Sequence, residues 1–180
     1  MTVTVLDPTA EPLDRDTDPA LAVRPATLAG QTVGVIMNRL ADCELMFDAL
    51  YRELAATDEL AGLVKVMKDS QSVPPTAEQW AVITGTATVV VTGFGGCGSC
   101  STRSMRDALD LEAMGIPAVC VGHQALVPAM RAVTELGGMP DYPIVTVDYP
   151  HPPIATWSRD EAEQIAKSVA ADVRRCLTRA

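Results

Sequence analysis

Short runs of β-branched and apolar residues alternate with longer stretches of helical period from residue 31 onward. The five β-rich runs span residues 31–37, 63–67, 87–93, 116–122 and 142–148. Apolar residues recur at helical spacing over residues 41–57, 76–84, 100–115, 124–138 and 158–177. Because this alternation builds βαβ units, it predicts a parallel sheet covered by helices. The expected fold is α/β and flavodoxin-like: a doubly wound parallel sheet of about five strands in a three-layer sandwich.

The beginning of the chain has a different composition. Residues 1–27 contain five acidic residues and four prolines, and their apolar residues follow no regular period. This composition favours an extended segment over a packed element. We expect residues 1–27 to form an N-terminal arm on the surface or against a neighbouring subunit, and residues 28–180 to form a single α/β domain.

Charge and hydropathy argue against several function classes. The chain has a formal net charge of −9, whereas binding to a phosphate backbone requires a basic surface. The sequence has no run of eighteen apolar residues and no pattern of an export signal at its start. We therefore expect a cytoplasmic protein that binds neither nucleic acid nor membrane. A homodimer is also expected, because the arm needs a surface to lie on.

The five cysteines divide into two groups. Cys43 and Cys176 fall within predicted helices and Cys120 falls within an apolar strand, so these three are expected to behave as small buried hydrophobic residues. Cys97 and Cys100 lie instead in the loop after the third predicted strand. In a chain without an export signal, all five are expected to be reduced thiols, because stable disulfides are rare in the cytosol.

The loop that holds this pair has four glycines among residues 93–98. In a doubly wound sheet, ligands bind at the carboxyl ends of the strands, near the first and third strands. Glycines such as Gly96 and Gly98 let the backbone approach a substrate, and the helix that follows directs free N–H groups to the same place. A cysteine thiolate at this helix start is stabilised as an anion, which favours nucleophilic chemistry.

The spacing Cys97-x-x-Cys100 allows one sulfur to attack an electrophile and the other to resolve the product as a disulfide. Such a pair supplies two electrons without a bound cofactor, and it needs a thioredoxin-like protein or a low-molecular-weight thiol to be reduced again. Half of a zinc site is an alternative, although the sequence has no second motif of that kind and no metal is expected. A phosphate-binding loop is another, although the strict spacing for nucleotides is absent.

Both histidines of the chain follow predicted strands. His123 comes after the fourth strand and His151 after the fifth, within a stretch stiffened by three prolines. Each could give or take the proton that a leaving group needs near neutral pH. We expect both to be catalytic, with His151 the better candidate; the alternative is a loop histidine bonded to backbone.

Five polar residues are candidates for binding a substrate. Asn38 and Arg39 follow the first strand, where an arginine can hold a carboxylate through two hydrogen bonds. Ser99, Ser101 and Thr102 border the thiols and could bind an anionic group. The alternatives are a helix cap and a solvated arginine for the first pair, and helix capping for the hydroxyls.

The motif Cys97-Gly98-Ser99-Cys100 also carries a resemblance to a known family. Further matching stretches are residues 7–12, 24–25, 28–34 and 150–152. With these residues the chain resembles the UGSC family, named for a selenocysteine-Gly-Ser-Cys motif whose first position can be cysteine. The resemblance implies that Cys97 is the attacking group and that Cys100 resolves the product.

One segment departs from the family pattern. Members commonly have an Asn followed by a Lys-Pro-Asn-Ala-Asp-like run after the first strand, whereas residues 38–42 here read Asn-Arg-Leu-Ala-Asp. The layout is also distantly similar to the selenoprotein subunits of amino-acid reductases and to cofactor-independent aspartate and glutamate racemases.

Four hypotheses about function follow. The first is an enzyme, an oxidoreductase or lyase, in which Cys97 attacks a small organic substrate and Cys100 resolves it, with cleavage of a carbon–heteroatom bond. The second is a racemase- or lyase-like enzyme in which cysteine moves a proton. The third is a non-catalytic module that binds a metal or ligand through the two thiols. The fourth is a subunit that works only in a larger complex.

Overall fold

The computed structural model describes residues 20–179 of the protein. Strands and α-helices alternate along this part of the chain. The strands are β1 Thr32–Met37, β2 Gly62–Met67, β3 Val89–Gly95, β4 Ala118–His123 and β5 Ile144–Val147. The helices are α1 Cys43–Ala55, α2 Ala77–Thr86, α3 Gly98–Ala113, α4 Val127–Leu136 and α5 Arg159–Leu177. A single 3₁₀ turn, Gln124–Leu126, precedes α4.

The strands form one parallel sheet in the order β2-β1-β3-β4-β5. Strand β1 pairs with β2 on one side and with the central strand β3 on the other, so Val35 lies opposite Lys65 and Val91. After β1 the chain adds β2 on one side of it and then β3 on the other side. The boundary between β1 and β3 is therefore the topological switch point of this fold. The prediction of a flavodoxin-like doubly wound α/β sheet is confirmed.

Two apolar cores lie on the two faces of the sheet. Helices α1 and α5 cover one face, and α2, α3 and α4 cover the other. Successive strand residues point to opposite faces, so Val89 and Val91 join the first core and Val90 joins the second. Strands β3 and β4 are buried along their whole length, which is why their sequences are mostly apolar and do not alternate between apolar and polar residues.

Local signals in the sequence explain where several helices start and stop. Thr76 and Gln79 form a reciprocal cap at the start of α2, and Ser158 and Glu161 form the same cap at the start of α5. The helix α3 ends before Gly115, whose φ of 79° few residues other than glycine adopt.

The predicted arm, residues 1–27, falls mainly outside the described residues. Of the part that the structure describes, residues 20–27 form neither helix nor strand. Arg24 nevertheless lies 8% exposed and forms an ion pair with Glu112 at the end of α3. This part of the segment is therefore fixed to the amino edge of the sheet.

Glu112 is the centre of a buried polar cluster. Its two carboxylate oxygens accept hydrogen bonds from both terminal nitrogens of Arg24, at 2.6 and 2.7 Å. They also accept the backbone N–H groups of Ala22 and Ala118, at 2.7 and 2.9 Å. The hydroxyl of Tyr142 donates to the carbonyl of Ala118 at 2.7 Å, and burial beside the carboxylate raises the pKa of this tyrosine well above its ordinary value. The charge of Glu112 is thus compensated within the core.

The two ends of the described chain lie side by side. The backbone N–H of Arg179 donates to the carbonyl of Pro25 at 2.9 Å, and its side chain Nε donates to the carbonyl of Arg24 at 3.0 Å. Both contacts are at the amino edge of the sheet, because β1 begins and α5 ends there. The opposite edge holds the thiol pair.

Candidate active site

The connection between β3 and α3 is only two residues long. Strand β3 continues to Gly95 and helix α3 begins at Gly98, so Gly96 and Cys97 alone join them. The sequence predicted a shorter strand and a helix that begins at Cys100. The consequence is that Cys97 caps the helix and that Cys100 belongs to its first turn.

Cys97 is the N-cap residue of α3. Its backbone is extended, with φ −139° and ψ 169°, and its sulfur accepts the backbone N–H of Cys100 at 3.2 Å. The Ser99 hydroxyl lies 3.7 Å from the same sulfur, and Cys97 is half-buried. The sulfur therefore replaces the oxygen of an ordinary N-cap side chain, and a negative charge there is favoured by the free N–H groups of the helix.

Cys100 lies beneath Cys97 and is fully buried. The two sulfurs are joined as a disulfide, with their Cα atoms 5.0 Å apart. This differs from the expected reduced thiols, because the start of α3 brings the two side chains together. The side-chain oxygen of Gln71 lies 3.6 Å from the Cys100 sulfur and accepts from its thiol in the reduced form. One sulfur thus faces outward and the other inward, within bonding distance of each other.

The glycines around Cys97 differ in how closely other atoms approach them. A Cβ on Gly96 would collide with the carbonyl oxygen of Pro153 and would lie 2.6 Å from Cδ2 of Leu40. A Cβ on Gly98 would meet no atom within 4 Å. Gly96 is therefore required by packing against the loop after β5, whereas nothing in the described chain fills the space beside Gly98.

Asn38 was expected to bind substrate, and the structure gives it a different role. It is fully buried, and its amide nitrogen donates to the carbonyl of Phe94 at 2.7 Å and to the Ser104 hydroxyl at 3.1 Å. Its amide oxygen accepts the backbone N–H groups of Leu40 and Phe94, each at 3.2 Å. The hydrogen-bonding capacity of the side chain is used inside the protein, so Asn38 holds the β1 and β3 loops together.

Arg39 is exposed and has a positive φ of 60°. Its Nε donates to the backbone carbonyl of Lys68 at 3.1 Å, which directs the side chain toward the end of β2. The structure places Arg39 beside the β2–α2 loop, and its binding of a substrate stays a prediction.

The three hydroxyl residues after Cys97 have two different environments. Ser101 is fully buried and donates to the carbonyl of Cys97 at 2.7 Å. The Thr102 hydroxyl donates within the helix, to the carbonyl of Gly98 at 3.0 Å. Both side chains therefore complete the first turn of α3, as the capping alternative predicted. Ser99 is exposed and remains available to a ligand.

His123 is the last residue of β4 and is fully buried. Its Nδ1 accepts the backbone N–H of Ala125 at 3.1 Å, which places the proton on Nε2, and Nε2 donates to the carbonyl of His151 at 3.0 Å. The rings of His123 and Tyr149 pack in a T-shaped arrangement, with their centroids 4.7 Å apart. With both nitrogens bonded to backbone, His123 fits the structural alternative and not an acid or base.

His151 lies in the loop between β5 and α5, and the side chain is partly exposed. The carbonyl of His151 is held by His123, and two residues later Pro153 contacts Gly96. Trp157 fixes the same loop, since its indole N–H donates to the carbonyl of Pro152 at 3.1 Å. The His151 loop therefore packs directly on the residue that precedes Cys97.

Residues that the sequence analysis missed come from the loop after β2. Gln71 contacts Cys100, and Ser72 lines an open groove beside the motif. At the start of the same loop Lys68 is fully buried and pairs with Asp107 of α3 at 2.6 Å. Burial lowers the pKa of Lys68 and raises that of Asp107. In the sequence, the only sign of the Lys68–Asp107 pair was an aspartate on the apolar face of a predicted helix.

The other three cysteines are not placed for chemistry. Burial raises the pKa of Cys43 to about 11 and that of Cys120 to about 12, so both thiols are protonated at neutral pH. Their predicted burial is confirmed. Cys176 is only partly buried, and burial raises its pKa as well.

The family of the protein follows from a comparison with family models. The model of the UGSC family matches residues 4–179. The chain belongs to the UGSC family. Among solved structures, it is similar to a diflavin flavoprotein A3 from Nostoc sp., with 14% identity and a TM-score of 0.43, over 82% of this chain and 96% of that chain. No curated protein matches the chain.

In this UGSC protein the motif Cys97-Gly98-Ser99-Cys100 forms the β3–α3 connection and the first turn of α3. Residues 20–179 contain no cluster of three or more His, Cys, Asp or Glu side chains arranged to bind a metal ion. In the same range, every helix is too short or too polar to cross a membrane.

Proposed function

We propose that the protein is a thiol-dependent enzyme in which Cys97 attacks an electrophilic small organic substrate and Cys100 resolves the product. The observation that carries the proposal is the contrast within the pair. Cys97 is half-buried at the N-terminus of α3, whereas Cys100 is fully buried and within bonding distance of it. A substrate can therefore reach the Cys97 sulfur. The buried Cys100 sulfur can attack only the sulfur of Cys97.

The reaction balances with two thiols as the reductant. The Cys97 thiolate displaces a leaving group X⁻ from a substrate R–X and forms a carbon–sulfur bond, and the Cys100 thiolate then attacks the Cys97 sulfur. The disulfide forms, the carbon–sulfur bond breaks, and the carbanion takes a proton to give R–H. The sum is R–X plus two thiols giving R–H, HX and a disulfide. A thioredoxin-like protein or a small thiol reduces the disulfide and is itself oxidised.

The local structure supports Cys97 as the attacking atom. Its sulfur accepts the N–H of Cys100 and lies near the Ser99 hydroxyl, and both contacts stabilise a thiolate more than a neutral thiol. The positive end of the α3 dipole acts in the same direction. The side-chain oxygen of Gln71 lies 3.6 Å from the Cys100 sulfur and is placed to accept a hydrogen bond from its thiol in the reduced protein.

His151 is our candidate for the acid that protonates the departing carbon. Its loop packs on Gly96 through Pro153, and His123 and Trp157 hold that loop in place. His123 then has a positioning role, because its ring is bonded to the carbonyl of His151. The substrate carbon is expected to lie next to a carbonyl group, since only such a carbon leaves readily as a carbanion.

The racemase-like alternative lacks a second acid of the right kind. Such an enzyme needs proton carriers on opposite sides of a carbon, whereas Cys97 and Cys100 come from one helix turn. Cys120 is fully buried, and burial raises its pKa to about 12. The described thiols therefore favour the attack-and-resolve reaction.

An α-halo ketone tests the reaction directly. Reduced protein treated with phenacyl bromide should release acetophenone and form the Cys97–Cys100 disulfide, which mass spectrometry of the peptides detects. The Cys100→Ser variant should instead keep a stable phenacyl adduct on Cys97, and Cys97→Ser should give neither product. The matched control is Cys176→Ser, a partly buried thiol outside the site, which should behave like the unmodified sequence. A persistent adduct on Cys97 with Cys100 intact would contradict the resolving step.

A further inference from the structure

An open groove of about 330 Å³ lies beside the thiol motif. Three elements form it: the N-terminal part of α3, the end of α4 and the loop after β2. Ser99 belongs to both the motif and the groove, and its hydroxyl lies 3.7 Å from the Cys97 sulfur. A molecule in the groove is therefore within reach of the attacking atom.

The lining of the groove is cationic on one side. It includes Arg103 and Arg106 and, among the described residues, no carboxylate. Asp110 pairs with both arginines and Asp107 pairs with Arg103 and Lys68, so three cations share two carboxylates. One positive charge is left over in a chain whose net charge is −9.

Arg106 is the residue best placed to use that charge. Its side chain is 42% exposed, and its ion pair with Asp110 is made through Nε at 2.8 Å. Within residues 20–179 its two terminal nitrogens stay available for an anionic ligand. Planar guanidinium groups bind carboxylates through two parallel hydrogen bonds.

The opposite wall of the groove is apolar. Val133 and Leu136 of α4 line it, and Leu136 is 85% exposed. On the motif side, a Cβ on Gly98 would meet no atom within 4 Å. A short aliphatic chain can therefore lie on α4 while its reactive end passes Gly98 toward Cys97.

We propose that this groove binds the substrate of the thiol pair and selects a small organic carboxylate with a short apolar tail. The inference rests on the proposed function and adds a substrate class to it. The carboxylate binds Arg106, the tail covers Val133 and Leu136, and the electrophilic carbon faces the Cys97 sulfur past Ser99.

Two alkylating reagents that differ only in charge test the carboxylate preference. Iodoacetate and iodoacetamide are applied to the Cys100→Ser variant, in which Cys97 is the only motif thiol, and the rate ratio at Cys97 is compared with the ratio for glutathione. The protein should favour iodoacetate about threefold or more relative to glutathione, and added salt should reduce the preference. Arg106→Gln should lower the ratio of iodoacetate to iodoacetamide rates at Cys97 by about threefold. Arg175→Gln, a surface arginine paired with Asp172, is the matched control and should leave the ratio unchanged.

Competition tests the apolar wall. Hexanoate should slow the alkylation of Cys97 by iodoacetamide at lower concentration than acetate does, and hexanamide should be weaker than hexanoate. Leu136→Ser should weaken protection by hexanoate and not protection by acetate. If Cys97 is reactive but its ratio of iodoacetate to iodoacetamide rates equals that of glutathione, the groove does not select carboxylates. The proposed function would still stand. A Cys97 no more reactive than glutathione toward either reagent would overturn both.

Discussion

Two glycines on either side of Cys97 should respond in opposite ways to the same substitution. In Gly96→Ala, the new Cβ collides with the carbonyl oxygen of Pro153 and lies 2.6 Å from Leu40. In Gly98→Ala, the new Cβ meets no atom within 4 Å, at the first position of α3. The comparison separates a packing requirement from a requirement for open space.

The magnitudes follow from what must move. The atom that Gly96→Ala strikes belongs to the backbone of the His151 loop, so relief requires a shift of that loop, and overpacking of this kind costs about 1–3 kcal/mol. Gly98→Ala reduces the freedom of the unfolded chain at a helical position and should stabilise by about 0.5–1 kcal/mol. For a domain of this size, each kcal/mol moves the Tm by about 2–4 °C.

Thermal unfolding of reduced protein, followed by circular dichroism, measures the first effect. Gly96→Ala should lower the Tm by about 3–10 °C, and Gly98→Ala should raise it slightly. The rate at which iodoacetamide alkylates Cys97 measures access to the sulfur. This rate should fall in Gly98→Ala, because the new methyl group occupies the approach to the sulfur. Equal Tm values for the two variants would refute the packing argument, and an unchanged alkylation rate in Gly98→Ala would refute the argument about access.

Two further predictions concern the buried polar groups. Glu112→Gln should destabilise the protein by about 3–5 kcal/mol in urea unfolding, because it leaves the buried Arg24 guanidinium without its charge partner; the exposed pair of Arg52 with a glutamate on α5 is the control, and Arg52→Gln should cost less than about 1 kcal/mol. The free energy of unfolding should also fall as the pH rises above about 9, the ordinary pKa of a thiol. The reason is that Cys43 and Cys120 have folded-state pKa values of about 11 and about 12, so their thiols ionise first in the unfolded chain. Urea unfolding between pH 8 and 10.5 measures this loss, and the double replacement of Cys43 and Cys120 by alanine should flatten it.

The sequence was sufficient for the fold because each strand is marked by its own residues. Strands β3 and β4 are buried on both faces, and valine is their commonest residue, a pattern typical of parallel sheets. The ends of elements were less accurate where glycine stood between them. The prediction ended β3 at Gly93, whereas the strand continues to Gly95 because its neighbours in the sheet keep it extended.

The site was predicted in part, and the reason lies in where its residues come from. The thiols sit in one short motif, so spacing alone was enough to find them. Gln71 and Lys68 meet α3 only through the packing of the loop after β2, and no local pattern marks such a contact. Asn38 and His123 were noticed for their position at the correct edge, but position does not reveal that their polar atoms are already bonded to backbone.

The closeness of Pro25 and Arg179 has a practical consequence for protein engineering. A linker from Arg179 to Ala20 would keep Arg24 paired with Glu112, so a circularly permuted chain could be opened at an exposed loop such as residues 57–61. The junction would lie at the amino edge, far from Cys97. The new ends at residues 57–61 would also lie at the amino edge, where β2 begins, so the thiol pair at the carboxyl edge would be left open to a reductant protein.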